Sequence, residues 1–185
     1  IDLLEEINKI DGIVRIRLGS LEPKIITEEF MQRLSKLEKM CHHFHLSLQS
    51  GCDATLKRMN RKTSKEKIEN LLEKIRNKIP NVTLRTSLIV GFPGETKENF
   101  EELLEFVKNT KFDKLGTFMY SKEEGTPAAK LPNQIHGNTK KARYNKIMEA
   151  QQEISKQILE EKIGKTYKIL VEDISFDKKY LICRT

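Results

Sequence analysis

Leu84-Arg85-Thr86-Ser87-Leu88-Ile89-Val90-Gly91-Phe92-Pro93-Gly94-Glu95-Thr96 is the stretch on which the fold of this 185-residue chain turns. Its first seven residues alternate, with Leu84, Thr86, Leu88 and Val90 opposing Arg85, Ser87 and Ile89, which is the period of a strand with one apolar and one mixed face. Gly91 and Gly94 then allow a tight turn and a close backbone approach to a ligand. Thr96 is placed to cap a helix whose stripe is Phe100, Leu103, Leu104 and Val107. Strand, glycine turn and helix together form half of a β/α crossover unit. No Gly-Lys-Ser/Thr follows the glycines, so the turn is not a Walker phosphate loop.

The same rhythm extends both ways. Upstream, Ile13–Leu18 and about His43–Leu48 read as strands, with a helix between them capped at Thr27 and carrying Phe30, Leu34 and Leu37. Thr63-Ser64-Lys65-Glu66 has capping-box spacing, and Ile68, Leu71, Leu72, Ile75 and Ile79 follow at helical intervals. Downstream, Leu115–Tyr120 reads as a fourth strand. A long helix is expected from about Thr139 to Lys162, with Tyr144, Ile147, Met148, Ile154 and Ile158 inward. Gly164 ends it. Tyr167–Glu172 and Lys179–Cys183 then change the pattern to strands alone. The expected class is α/β: a partial open (β/α) barrel over residues 1–163, then the start of a small all-β domain over 164–185.

Parallel strands joined by crossovers place ligands at their carboxyl ends. Here all four strands end in glycine and polar residues: Gly19-Ser20-Leu21-Glu22, Gln49-Ser50-Gly51, Gly91–Glu95 and Ser121–Gly125. Turn chemistry alone explains any one of these endings, and a shared ligand-binding rim explains all four. His43, His45, Ser47 and Gln49 fall on the face opposite Phe44, Leu46 and Leu48, which gives the lumen a polar lining.

Composition narrows the classes. With 37% hydrophobic and 33% charged residues the chain is neither disordered nor fibrous. No apolar run approaches the roughly 20 residues of a membrane span, and no signal peptide opens it. A net charge of +7 favours anionic partners, RNA above all, although a basic solvated surface accounts for it equally. The excess is concentrated in Lys57-Arg58-Met59-Asn60-Arg61-Lys62 and Lys140-Lys141-Ala142-Arg143-Tyr144-Asn145-Lys146. Three cysteines, Cys41, Cys52 and Cys183, lack a short CxxC spacing and point to free thiols in a cytoplasmic protein. Cys41, His43 and His45 share a strand face, but regularly spaced neighbours on one strand do not wrap an ion, so a polar lining is preferred to zinc.

Leu84–Thr96 together with Met119-Tyr120-Ser121-Lys122-Glu123-Glu124-Gly125-Thr126-Pro127-Ala128-Ala129 resembles the radical-SAM methylthiotransferase family, the RimO, MtaB and MiaB group. Arg17–Pro23 resembles that family's third barrel strand, His45–Gly51 its fourth, and Tyr167–Thr185 the opening of its TRAM domain. Residues 15–61 are most similar to the MtaB branch and 63–185 to the RimO branch. Ile182-Cys183-Arg184-Thr185 departs from the family, which commonly has Gly before Arg-Thr.

The resemblance implies S-adenosylmethionine (SAM) and 4Fe–4S clusters as cofactors. It also implies reductive cleavage of SAM to a deoxyadenosyl radical and transfer of a methylthio group to substrate. The substrate is an aspartate of a small-subunit ribosomal protein in the RimO branch, or threonylcarbamoyladenosine of tRNA in the MtaB branch. Glu22, Gln49, Ser50, Arg85, Gly91, Phe92 and Glu95 are the expected SAM contacts, and Tyr120, Ser121 and Thr126 the substrate side of the rim. Arg85 would pair with the methionine carboxylate, since a guanidinium matches it bidentately. No residue is assigned as a metal ligand or a catalytic group: the CxxxCxxC motif that holds such a cluster is missing, so this chain is read as a fragment inactive alone. A barrel remnant that binds RNA without chemistry is the rival expectation.

Overall fold

The computed structural model of the protein describes residues 1–184. Its centre is a three-stranded parallel sheet in the order β1-β2-β3, formed by His43–Gln49, Thr83–Val90 and Lys114–Met119. The strands alternate as expected: Phe44, Leu46, Leu48, Leu84, Leu88 and Val90 are buried, while Arg85 and Lys114 stand exposed on the other face. Helices α4 (Lys65–Lys78) and α5 (Lys97–Thr110) supply the matching apolar stripes, Ile68, Leu72 and Ile75 on one, Phe100, Leu103, Phe106 and Val107 on the other. Leu104, expected in the α5 stripe, is half-buried, and Phe106 takes the deeper position.

Two local expectations are corrected. Ile13–Leu18 is not a strand: Ile16 and Leu21 make isolated parallel bridges to Met40 and Leu46. The bridged positions are five residues apart on one side and six on the other, so no continuous ladder closes, and Ser20 (φ 52°) takes up the mismatch. Ser64 rather than Thr63 caps α4, its hydroxyl accepting from Lys67 N–H at 3.3 Å. A short helix, α3 (Asp53–Arg58), precedes α4 and ends on Lys57 and Arg58 of the first basic run.

The remaining caps follow the sequence. Thr27 accepts from Phe30 N–H ahead of α2 (Glu28–Leu34), and Thr96 and Asn99 form a reciprocal capping box on α5. The opening helix α1 (Asp2–Lys9) has no buried residue. It is tied to α2 by Arg33, which donates to both Glu5 oxygens (2.8 and 2.7 Å) and to Asp2.

The long helix α6 runs over Gly137–Glu160 and buries Arg143, Ile147, Gln151 and Ile154. Tyr144, Met148 and Ile158, expected to point inward, are only half-buried. Gln151 donates to the Phe112 carbonyl at 2.8 Å and Lys140 to the Tyr120 carbonyl at 2.7 Å, so α6 lies antiparallel along β3.

The chain divides into a unit of residues Ile1–Ser155 and a second from Lys156 onward. The second unit contains the hairpin β4 (Leu170–Ile174) and β5 (Leu181–Arg184), antiparallel with a register shift between Val171 and Asp173. Every residue of both strands is exposed. Thr185, where the TRAM-like stretch was expected to end, lies outside the described residues.

Candidate S-adenosylmethionine rim

The carboxyl ends of the three strands and the Leu21 bridge lie side by side. Leu21 N–H donates to His45 O at 2.7 Å, Leu88 pairs with Gln49, and Tyr120 N–H continues the β2–β3 ladder to Val90 O at 2.9 Å. Gln49 ends β1 in the left-handed region (φ 67°), where three residues of β1 oppose two of β2. Such a bulge re-aims a side chain at a strand end. Ser50 is fully buried, and its hydroxyl accepts from Cys52 N–H at 3.2 Å. Gly51 has no room for a side chain, since a Cβ there would lie 2.2 Å from Phe106 Cδ1.

The Gly91–Glu95 loop is the most constrained part of the rim. Gly91 and Gly94 both have positive φ, 72° and 77°. Glu95, 2% exposed, folds back so that Oε1 accepts from Gly91 N–H at 2.8 Å and from Arg143 Nη1 at 2.6 Å. Burial pushes the Glu95 carboxyl above the ordinary carboxylate range, against the opposing pull of the Gly91 amide and Arg143. Its Oε2 is buried without a partner. Phe92 packs edge-on against Tyr120 at 5.2 Å, and the Tyr120 hydroxyl is buried and unpartnered.

The other expected residues are distributed around this loop. Glu22 Oε2 lies 3.1 Å from Arg61 Nη2, which also donates to Ser47 O. Ser121 is exposed, whereas the Thr126 hydroxyl donates to Glu123 O and accepts from Ala129 N–H, holding its own loop. Arg85 is on the open face but five residues before Val90, which at strand rise is about 16 Å below the rim. There it lines a cavity of about 630 Å³ with Lys114, Asn145, Met148, Glu149 and Gln152. The structure therefore gathers Glu22, Gln49, Gly91, Phe92, Glu95 and Tyr120 at one edge and sets Arg85 apart from them.

Sequence reasoning missed Arg58, Lys140 and Arg143, which touch the loop from two helices. All three were visible only as parts of basic runs. The loop nevertheless uses them: Arg58 Nε and Lys140 Cγ stand 3.1 and 2.4 Å from where Cβ atoms on Gly94 and Gly91 would be.

On the polar face His45 Nε2 lies 3.1 Å from Ser87 Oγ. Burial lowers the pKa of both His43 and His45, and neighbouring Arg17 and Arg85 lower them further. Because the folded values fall below the ordinary 6.5, the unfolded chain binds these protons first. Stability contributed by the neutral imidazoles is therefore expected to be full above about pH 6.5 and to fall as pH drops through the folded values. Urea titrations between pH 7.5 and 5 should show this slope, and it should flatten in the His43→Gln/His45→Gln double variant.

Among the described residues no three His, Cys, Asp or Glu side chains converge as a metal site. Cys41 is half-buried, Cys52 buried and Cys183 exposed. These side chains do not fit a 4Fe–4S cluster, which needs thiolates brought together. The rim does fit SAM in kind: the Tyr120 hydroxyl and Glu95 Oε2 are buried polar atoms without partners, and Phe92 brings an aromatic edge beside them. Among the described residues no helix is long and apolar enough to cross a membrane.

The radical SAM superfamily profile matches residues 1–107, so the chain belongs to that superfamily. Within it, the chain is 51% identical over 183 residues to the ribosomal protein uS12 methylthiotransferase RimO of Alkaliphilus oremlandii, covering 99% of this chain and 42% of that protein. It is 43% identical to the tRNA-2-methylthio-N(6)-dimethylallyladenosine synthase of the same organism, covering 100% and 39%. The chain thus spans about two fifths of the length of these curated relatives. Among solved structures, coproporphyrinogen III oxidase (HemN) of Escherichia coli, described as a radical SAM enzyme, superposes with a TM-score of 0.60 at 21% identity. That match covers 77% of this chain and 32% of HemN, and it supports the fold alone.

Proposed function

We propose that this chain is the later part of a radical SAM methylthiotransferase barrel, and that the whole protein adds a methylthio group to an aspartate of ribosomal protein uS12. The higher identity to the ribosomal-protein enzyme than to the tRNA enzyme carries this reading. In this reading residues 164–185 open a TRAM domain, the protein is cytoplasmic, and the iron–sulfur cluster takes its ligands from outside these 185 residues. When bound, SAM supplies the sulfonium from which the family's radical and methyl chemistry draws.

The residues of the rim then divide the work. The Gly91–Phe92 segment and the Phe92 ring receive the adenosine, because the ring offers an apolar edge beside the unpartnered Tyr120 hydroxyl. Gln49, turned out by its bulge, and Glu22, steadied by Arg61, accept or donate to the ribose and the amino group. Arg85 offers its guanidinium to a carboxylate lower in the lumen. Tyr120 and Ser121 face the substrate side. Ser50, Glu95 and Thr126 act through the loops they hold.

Equilibrium dialysis with labelled SAM tests the rim directly on this chain. Wild type should bind, and Gly91→Val should abolish binding, since its side chain would meet Lys140 and a left-handed backbone. Wild-type binding equal to that of Gly91→Val would sink the proposal. Substrate choice is read on the whole protein by mass spectrometry of uS12 and of tRNA. Methylthiolation of tRNA alone would favour the second reading, which the tRNA-modifying relative supports. RNA affinity that falls steeply with salt, without any SAM binding, would favour the RNA-binding remnant.

A further inference from the structure

The two basic runs are expected to be solvated or to meet RNA, yet their inner members are spent within the fold. Arg58 donates to Asn99 Oδ1 at 3.1 Å and packs against Gly94. Lys140 packs against Gly91, donates to the Tyr120 carbonyl at 2.7 Å and lies over the Tyr120 ring at 5.0 Å. Arg143 is 9% exposed. Its Nη1 donates to Glu95 Oε1 at 2.6 Å and to the Glu95 carbonyl at 3.1 Å, while its guanidinium covers the Phe100 ring at 5.5 Å.

Arg143 is therefore joined to the carboxylate oxygen that also receives Gly91 N–H. One oxygen links α6 to both ends of the loop. Two positive-φ glycines leave that loop with more unfolded freedom than other residues would, so its shape depends on what holds it. A buried guanidinium is a costly way to hold anything unless it fixes one geometry. The superfamily profile ends at residue 107, so this brace comes from a helix beyond the matched region.

We propose that Arg143 is a positioning residue: through Glu95 it sets the Gly91–Glu95 backbone that receives the adenosine of SAM. The ligand named here rests on the SAM reading above. Arg143 itself touches no ligand. It acts by keeping Glu95 Oε1 where Gly91 N–H can reach it, which orients the neighbouring peptide groups. Lys140 closes the same loop from the outer side and keeps the β3 exit beside it.

The test uses the full chain with Arg143→Met, Arg143→Lys and Glu95→Gln, read by amide hydrogen exchange over residues 89–96 and by SAM dialysis. Arg143→Met should speed loop exchange by about tenfold and weaken SAM by a similar factor, leaving exchange across Leu84–Leu88 unchanged. Arg143→Lys, which keeps a charge near Oε1 but loses the planar guanidinium stacked on Phe100, should recover both readouts only in part, leaving them between Arg143→Met and wild type. Glu95→Gln keeps an acceptor for Gly91 N–H and should lie between them. If Arg143→Met does not fold, the Lys and Gln variants carry the comparison through their smaller, ordered shifts. Loop exchange equal to wild type in every folded variant overturns the brace. A loosened loop with unchanged SAM affinity overturns the positioning role. Failure of the wild type to bind SAM instead defeats the reading of the rim and the ligand named here, while loop exchange still decides the brace.

Discussion

Alanine in place of Phe106 is expected to lower the free energy of unfolding by about 3–5 kcal/mol. The ring is fully buried in α5, packs against Phe112 at a centroid distance of 5.8 Å, and lies over Gly51 at the end of β1. Truncation would remove apolar contact on several sides and leave a cavity that the rigid Gly51 turn cannot fill. Urea denaturation followed by far-ultraviolet circular dichroism checks the magnitude. The same contact predicts the converse change. Gly51→Ala places a Cβ 2.2 Å from the ring and should cost about 1–3 kcal/mol by overpacking, much of it recovered when Phe106→Leu is added. Additive effects in that double variant would contradict the contact.

Glu95→Ala is expected to cost about 3–5 kcal/mol, because it strips a buried guanidinium of its partner. Arg143 would keep only its bond to the Glu95 carbonyl, and Gly91 N–H would lose its acceptor. The size of this effect comes from what is left behind rather than from the net worth of the pair. Burial raises the Glu95 pKa, so the charged carboxylate is itself disfavoured there. Glu95→Gln should consequently cost distinctly less than Glu95→Ala, since the amide oxygen still accepts from Gly91. Equal losses in the two variants, measured by the same denaturation, would mean that the acceptor contributes nothing.

The strand faces, the Thr27 and Thr96 caps and the hairpin were legible in the sequence. Each is set within a few residues by alternation, a hydroxyl at a helix start or turn chemistry. Ile13–Leu18 misled for the same reason. Its β-branched residues satisfy strand propensity, but a ladder also needs a partner in register, and the spacing to Met40 and Leu46 does not match. The inner face of α6 was misread because periodicity counts apolar residues, whereas Arg143 and Gln151 are buried by making hydrogen bonds.

The glycine turn after Val90 shows where the two kinds of information part. From Leu84–Thr96 alone came the strand, the tight glycine turn, the capped helix and the expectation of a ligand at the strand end. These are local consequences of alternation, positive-φ tolerance and capping. Tertiary structure alone decided that Glu95 turns inward to Gly91 and Arg143, that Arg85 stands well below the rim, and that cations from two distant runs hold the loop. The reason is physical: whether a charged side chain meets solvent, ligand or a buried partner depends on residues tens of positions away. The sequence around it does not encode that environment.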